Sequence, residues 1–245
     1  MSVNQRLRNA LVSAGLSQAA LAERVEVDPK SVERWITQDR LPHATTRTRV
    51  AHVLGLDESY FWPSLLGTEQ IRNATNSELV QVWPMRGKVP GDVWRSLFDQ
   101  ATNEIDILVY SGGFLIEAYS LVEVIRTKVN AGTTFRILIG DPRCEAVRLR
   151  GRDEGLPSLV ERCRSTREYL QPVINLPGVH VRTHQTTLYA SQFRFDESML
   201  VNIHAYGAYA AQAPMLHLRR VPGGQLFDFY GRAFERVWAT GEPVA

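Results

Sequence analysis

Two short amphipathic segments joined by three residues constrain this chain more than any other feature of it. In Gly15–Pro42, GLSQAALAERVEVDPKSVERWITQDRLP, Ser17 stands where a capping hydroxyl would start a helix whose apolar side is Leu21, Ala22 and Val25. Val25-Glu26-Val27 reads as a turn. Asp28 then caps a second helix, with Pro29 at its first position and Val32, Trp35 and Ile36 on its inner face. The same periodicity runs on both sides. Leu7, Ala10, Leu11 and Ala14 make an opening stripe, and Thr45–Leu54 carries Val50, Val53 and Leu54 before stopping at Gly55. Asp57 opens a last short helix with Tyr60, Phe61, Trp62 and Leu65. Five helices in about 65 residues predict a compact all-α unit over residues 1–66.

The second helix leaves Lys30, Ser31, Glu33 and Arg34 facing outward, which is how a helix-turn-helix offers side chains to a DNA major groove. Overall charge does not locate such a surface. The chain carries +2, and eight Lys and Arg against seven Asp and Glu through Leu65 leave +1 on either side of that point. Affinity for phosphate must come from the local grouping of Lys30, Arg34, Arg40, Arg47 and Arg49. Leu16-Ser17-Gln18, Leu21-Ala22, Val32, Arg34-Trp35, Arg40 and Pro42 together resemble the lambda-repressor-like (xenobiotic-response-element type) family, over residues 4–66. The resemblance implies that Gln18 bonds a DNA phosphate and that Lys30, Ser31 and Arg34 face base edges or nearby phosphates. Arg40 and the Thr45–Arg47 helix start would grip the backbone. Glu26 stands where the family has a left-handed glycine, at a cost of about 1 kcal/mol. Ile36 and Gln38 replace a usual Glu and Gly at the end of the second helix. The other reading of the unit is five core-forming helices used for protein contact.

Gly67–Asn76 is polar and aperiodic and is expected to be a linker. Beyond it the pattern changes. Val93, Leu97 and Ala101 fit a helix, Ile105–Tyr110 a buried strand, Phe114–Asn130 a helix, and Thr134–Gly140 a second buried strand closed by Asp141-Pro142. A helical region, Leu156–Ile174, precedes strand-like segments at Val179–Thr183, Gln192–Phe195, Ser198–Ile203 and Met215–Leu218. A last helix carries Phe227, Tyr230, Phe234, Val237 and Trp238 inward. Strands alternating with helices, then a run of strands, predict an α/β domain with a mixed sheet over residues 77–245.

In element order, and at Thr187–Asp196 with Ser198–Asn202, this domain resembles the phospholipase-D-like superfamily. The resemblance implies a nucleophilic His, a phosphate-neutralising Lys two residues on, and an Asp five residues after the Lys. Those positions hold Tyr189, Ser191 and Asp196, so no catalytic residue is expected. Tyr110, Ser111, Asp141, Arg143, Tyr189, Ser191, Arg194, Asp196, Asn202 and His204 lie at or near strand ends bordering the crevice. Some of them are expected to hold a small, phosphorylated effector. The alternative for Tyr189, Arg194 and Asp196 is a polar pair or a turn.

Neither Cys144 and Cys163 nor His180, His184, His204 and His217 have metal-site spacing, and no cofactor is implied. No apolar run reaches a membrane span, and the start reads as an amphipathic helix rather than a signal peptide, so a cytoplasmic, nucleoid-associated protein is expected. The expected partner is a pseudo-palindromic double-stranded operator, bound by a homodimer. A DNA-targeted phosphodiesterase or nuclease and a protein-interaction module are the competing readings.

Overall fold

The computed structural model describes residues 4–65 and 68–244. It divides into two compact units, residues 1–78 with 221–225 and residues 79–220 with 226–245.

The first unit is helical: α1 (Gln5–Ser13), α2 (Gln18–Arg24), α3 (Pro29–Thr37), α4 (Ala44–Leu54), α5 (Glu58–Phe61) and α6 (Thr68–Glu78). The expected caps are in place. The Ser17 hydroxyl accepts from the Ala20 N–H, Asp28 accepts from the Lys30 N–H, and Gly55 closes α4 with φ +65°. Leu7, Leu21, Ala22, Val32, Ile36 and Val50 are fully buried in one core, where Trp35 meets Trp62 edge to face. Glu26 takes the left-handed conformation, φ +58°, that the missing glycine would have held, and its carboxylate accepts from Arg49 at 2.6 Å. At the end of α3 the left-handed residue is Asp39 (φ +51°) rather than Gln38, and Ile36 is a core residue whose carbonyl accepts the Asn4 N–H. Of the expected linker, Gly67–Asn76, residues 68–76 are helical and belong to α6, and Gly67 lies outside the described residues. Its sequence, TEQIRNATNSE, is polar nearly all round, so it shows no apolar stripe to betray a helix.

The second unit contains β1 (Leu79–Trp83), α7 (Gly91–Gln100), β2 (Glu104–Leu108), α8 (Gly113–Tyr119), α9 (Leu121–Asn130), β3 (Thr134–Gly140), α10 (Glu145–Asp153), α11 (Leu159–Leu170), β4 (Val179–His184), β5 (Ala190–Phe195), β6 (Ser198–Ile203), β7 (Met215–Arg219), α12 (Leu226–Thr240) and β8 (Glu242–Pro243). The strands form one mixed sheet in the order β1-β7-β6-β5-β2-β3-β4-β8. Strands β2, β3 and β4 are parallel, and every other pairing is antiparallel. The expected helix over Phe114–Asn130 is two, broken at Ser120, which is left-handed at φ +50°. Strand β1 sits at the sheet edge with Leu79, Val80 and Val82 exposed, and neither it nor α10 was apparent in the sequence pattern.

Alternation along the strands divides the core between the two faces of the sheet. Ile105, Ile107, Phe135, Ile137, Phe193 and Phe195 pack with Trp94, Phe98, Leu115 and Ile125 of α7–α9. On the other face Leu108 and Leu138 pack with Val147, Leu159, Cys163 and Phe234. That second face also holds a row of charges. Register places Asp106 of β2 between Arg136 of β3 and Arg194 of β5. Arg136 donates to both Asp106 oxygens at 2.7 Å and reaches Glu235 of α12 at 2.9 Å. Arg194 lies 3.6 Å from Asp106 and pairs with Glu104. Phe234 covers Arg136 at 4.8 Å, and Asp106 is only 3% exposed. Burial disfavours the Arg136 charge, but Asp106 and Glu235 outweigh it and hold the guanidinium firmly protonated.

Candidate functional site

In the helical unit, Val32, Trp35 and Ile36 fix α3 in the core, and this fixes which residues face out. Lys30 and Arg34 are exposed and Ser31 is half-buried beside them; Gln18 is the exposed first residue of α2. Arg40 is exposed past the end of α3. Among the described residues, no carboxylate pairs with the Lys30, Arg34 or Arg40 side chains. Thr45 is exposed in the first turn of α4, whose cap residue, His43, makes no side-chain bond to the turn's N–H groups. Those donors and the helix dipole suit an anion.

Arg47 is employed differently from the expectation. Its Nε bonds Glu58 at 3.1 Å, its Nη1 donates to the Pro42 carbonyl at 2.8 Å, and the side chain is only 16% exposed. Its charge is spent fastening α4 to α5 and to the preceding loop.

In the α/β unit a cavity of about 760 Å³ opens beyond the carboxyl end of β2. It is walled by the β2–α8 loop, by α11, and by one end each of β5 and β6. Of the ten expected ligand residues, Tyr110, Ser111, Ser191, Asn202 and His204 line it. His204 Nδ1 faces the Leu188 carbonyl at 3.2 Å, which can only accept, so Nδ1 carries the proton. The Ser191 hydroxyl therefore donates to His204 Nε2, 3.0 Å away. Burial above all, with Arg150 nearby, pushes the His204 pKa down to about 4, so the ring is neutral at pH 7. The Tyr110 ring stacks on His204 at 6.2 Å, and its hydroxyl accepts the Leu188 N–H. The Asn202 amide NH₂ donates to the Ala213 and Pro214 carbonyls, and its buried Oδ1 has no partner among the described residues.

The other five lie off the cavity wall. Asp141, 3% exposed, accepts from the Arg143 N–H and guanidinium and from Gln185, which makes a closed turn after β3. Tyr189 is 83% exposed. Arg194 and Asp196 lie toward the other end of the sheet, because β5 runs antiparallel to β2 and three and five residues of extended chain carry them about 10 and 16 Å from Ser191. Asp196, left-handed at φ +49°, accepts the backbone N–H groups of Thr102, Asn103 and Glu104. Burial alone would raise its pKa, but the three backbone bonds outweigh that and hold it below the usual carboxylate range.

Asp196→Ala should therefore lower stability by roughly 2 kcal/mol, discounted from three charge-assisted bonds for partial exposure. The Asp196 contribution is complete above the unfolded carboxylate pKa and disappears as pH falls through the lower folded value. Urea unfolding of both proteins at pH 7 and at pH 3 checks this, because the difference between them must shrink in acid.

Two cavity residues carry no pattern signal. Arg86 follows β1 in a short 3-10 turn, and Glu154, beside the cavity, pairs with Arg150. Only the Arg150/Glu154 spacing of four could have suggested a helical ion pair.

Residues 7–61 match the family model described as helix-turn-helix, and the chain carries a helix-turn-helix domain there. No curated protein matches the chain by sequence. Among solved structures, the chain is similar to TrmBL2, described as an archaeal chromatin protein with a novel mode of DNA binding, at 15% identity and TM-score 0.45, over 89% of this chain and 72% of that one. It is also similar to Nuc, a phospholipase D family member from Salmonella typhimurium, at 16% identity and TM-score 0.43, over 67% and 96%. A third is phosphatidylserine synthase from Haemophilus influenzae, at 16% identity and TM-score 0.43, over 62% and 36%.

Proposed function

We propose that this chain is a sequence-specific DNA-binding transcription regulator, acting as a homodimer and carrying an effector cavity in its α/β domain. The observation that carries the reading is the face of α3. Lys30 and Arg34 stand exposed and without acidic partners among the described residues, on a helix whose other side is locked in the core. Phosphate contacts from Gln18, Arg40 and the uncapped start of α4 would set its register on the duplex. One helix of nine residues reads too few base pairs for selectivity, and two copies one helical turn apart, about 34 Å, would read a pseudo-palindrome. Among the described residues no helix is long and apolar enough to cross a membrane.

Sensing rather than turnover is favoured in the cavity. Ser191 stands where the phospholipase-D-like pattern needs a cation, and a base titrating near pH 4 drives proton abstraction weakly at neutral pH.

Arg34→Ala should lower discrimination between operator and mismatched DNA by about 1–3 kcal/mol, while Gln18→Ala weakens all sites alike. Genome-wide mapping of bound DNA supplies the operator, and titrations of both variants at fixed salt measure the two effects. Unchanged operator binding in both would overturn the assignment.

A further inference from the structure

The Arg86 guanidinium carbon sits over the Phe114 ring, 3.8 Å from its centroid, at the cavity wall. Its Nε is buried without a hydrogen-bond partner, and no carboxylate lies within ion-pair distance of it among the described residues. Glu154 is near enough to be felt but is bound to Arg150. Burial accordingly pushes the Arg86 pKa below its ordinary value. A half-buried cation without a counter-ion is costly, and proteins retain such groups where an anion arrives. The same cavity holds the opposite hydrogen-bonding deficit, because the Asn202 Oδ1 is an acceptor without a donor among the described residues. Phe114, Phe193 and Tyr169 give the cavity wall its aromatic surface.

We infer that the cavity binds a small organic anion with a planar ring, its phosphate or carboxylate on Arg86, its ring against the aromatic wall, and a ring-borne N–H or O–H toward Asn202. This rests on reading the cavity as an effector site. It adds the class of effector and an anchor distinct from positions 189 and 191. A volume of about 760 Å³ suits a molecule the size of a nucleoside monophosphate or a smaller aromatic acid.

Calorimetric titration of the full chain with adenosine 5′-monophosphate, anthranilate, adenosine and inorganic phosphate tests it. Saturable binding is expected for at least one ring-bearing anion, at least about tenfold tighter than inorganic phosphate, and tighter for the monophosphate than for adenosine if a phosphate ester is the natural group. Arg86→Gln should weaken that binding about 10- to 100-fold. Arg86→Lys, which keeps the charge, should recover part of the loss, and Asn202→Leu should weaken the ring-bearing anions but not inorganic phosphate. Circular dichroism of each variant confirms folding, and Arg86→Lys stands in where Arg86→Gln does not fold. The inference is overturned if neither ring-bearing anion binds saturably, or if the folded Arg86 variants bind within twofold of the parent. Operator titrations with and without the bound anion separate the two claims. An anion that binds through Arg86 and leaves DNA affinity unchanged keeps the site and removes its role in regulation.

Discussion

Asp106→Ala is expected to cost on the order of 3–5 kcal/mol, a large share of the roughly 5–15 kcal/mol that stabilises an ordinary domain. Asp106 stands between two guanidiniums on three adjacent strands, 3% exposed, and accepts two 2.7 Å bonds from Arg136 alone. Removing it leaves Arg136 with Glu235, which is half-exposed, and leaves Arg194 with Glu104 at the rim. Two positive charges then face each other under α12 with nothing between them. The loss comes from stranded charge rather than from one missing contact. Replacing Asp106, Arg136 and Arg194 together by apolar residues of similar volume should recover most of it. Urea titrations of the single and triple variants decide the matter. A single-variant loss under about 1 kcal/mol would mean that water already solvates the row.

Trp94→Ala is expected to cost about 3–5 kcal/mol and to weaken ligand binding as well. The indole is 1% exposed and meets three rings: Phe193 at 5.1 Å, Phe114 at 5.4 Å and Tyr119 at 5.7 Å. Phe114 and Phe193 also line the cavity, and Phe114 supports Arg86. Deleting the indole leaves a void into which both phenylalanines can relax, so one substitution should disturb stability and the anion anchor together. Trp94→Phe should retain much of each. Thermal unfolding and titration with the anion that binds the parent chain measure the two effects on the same samples. A destabilised variant that binds as the parent does would show that the cavity wall holds its shape without Trp94.

The helical unit was legible because each boundary carries its own chemistry. Ser17, Asp28-Pro29, Asp57 and Gly55 mark ends, and the apolar spacing marks the inward faces. Even the cost at Glu26 could be foreseen, since a turn of fixed geometry places one residue at positive φ whatever its side chain. Arg47 could not be read in this way, because exposure on a helix and pairing with Glu58 leave the same sequence signature. In the second unit the apolar runs at Ile105 and Thr134 announced the central strands, but strand direction is a tertiary property. With β5 taken only as a strand bordering the crevice, Arg194 and Asp196 fell beside Ser191 instead of toward the far end of the sheet. Arg86 shows the same limit. A lone arginine acquires meaning only when burial and an aromatic ring close around it, and both are supplied by residues distant in sequence.

The place of β1 in the sheet has a consequence for how the protein is made. It is the first strand of its domain to leave the ribosome, yet its partner β7 begins only at Met215. At ~5–20 residues per second the two are separated by on the order of ten seconds. The six helices ahead of it have been synthesised by then, but residues 221–225 of their unit have not. During that interval Leu79, Val80 and Val82, still exposed in the finished sheet, belong to an apolar strand with neither edge paired. Nascent chains that stall before β7 should therefore be the species that chaperones hold and that aggregate when they are not held.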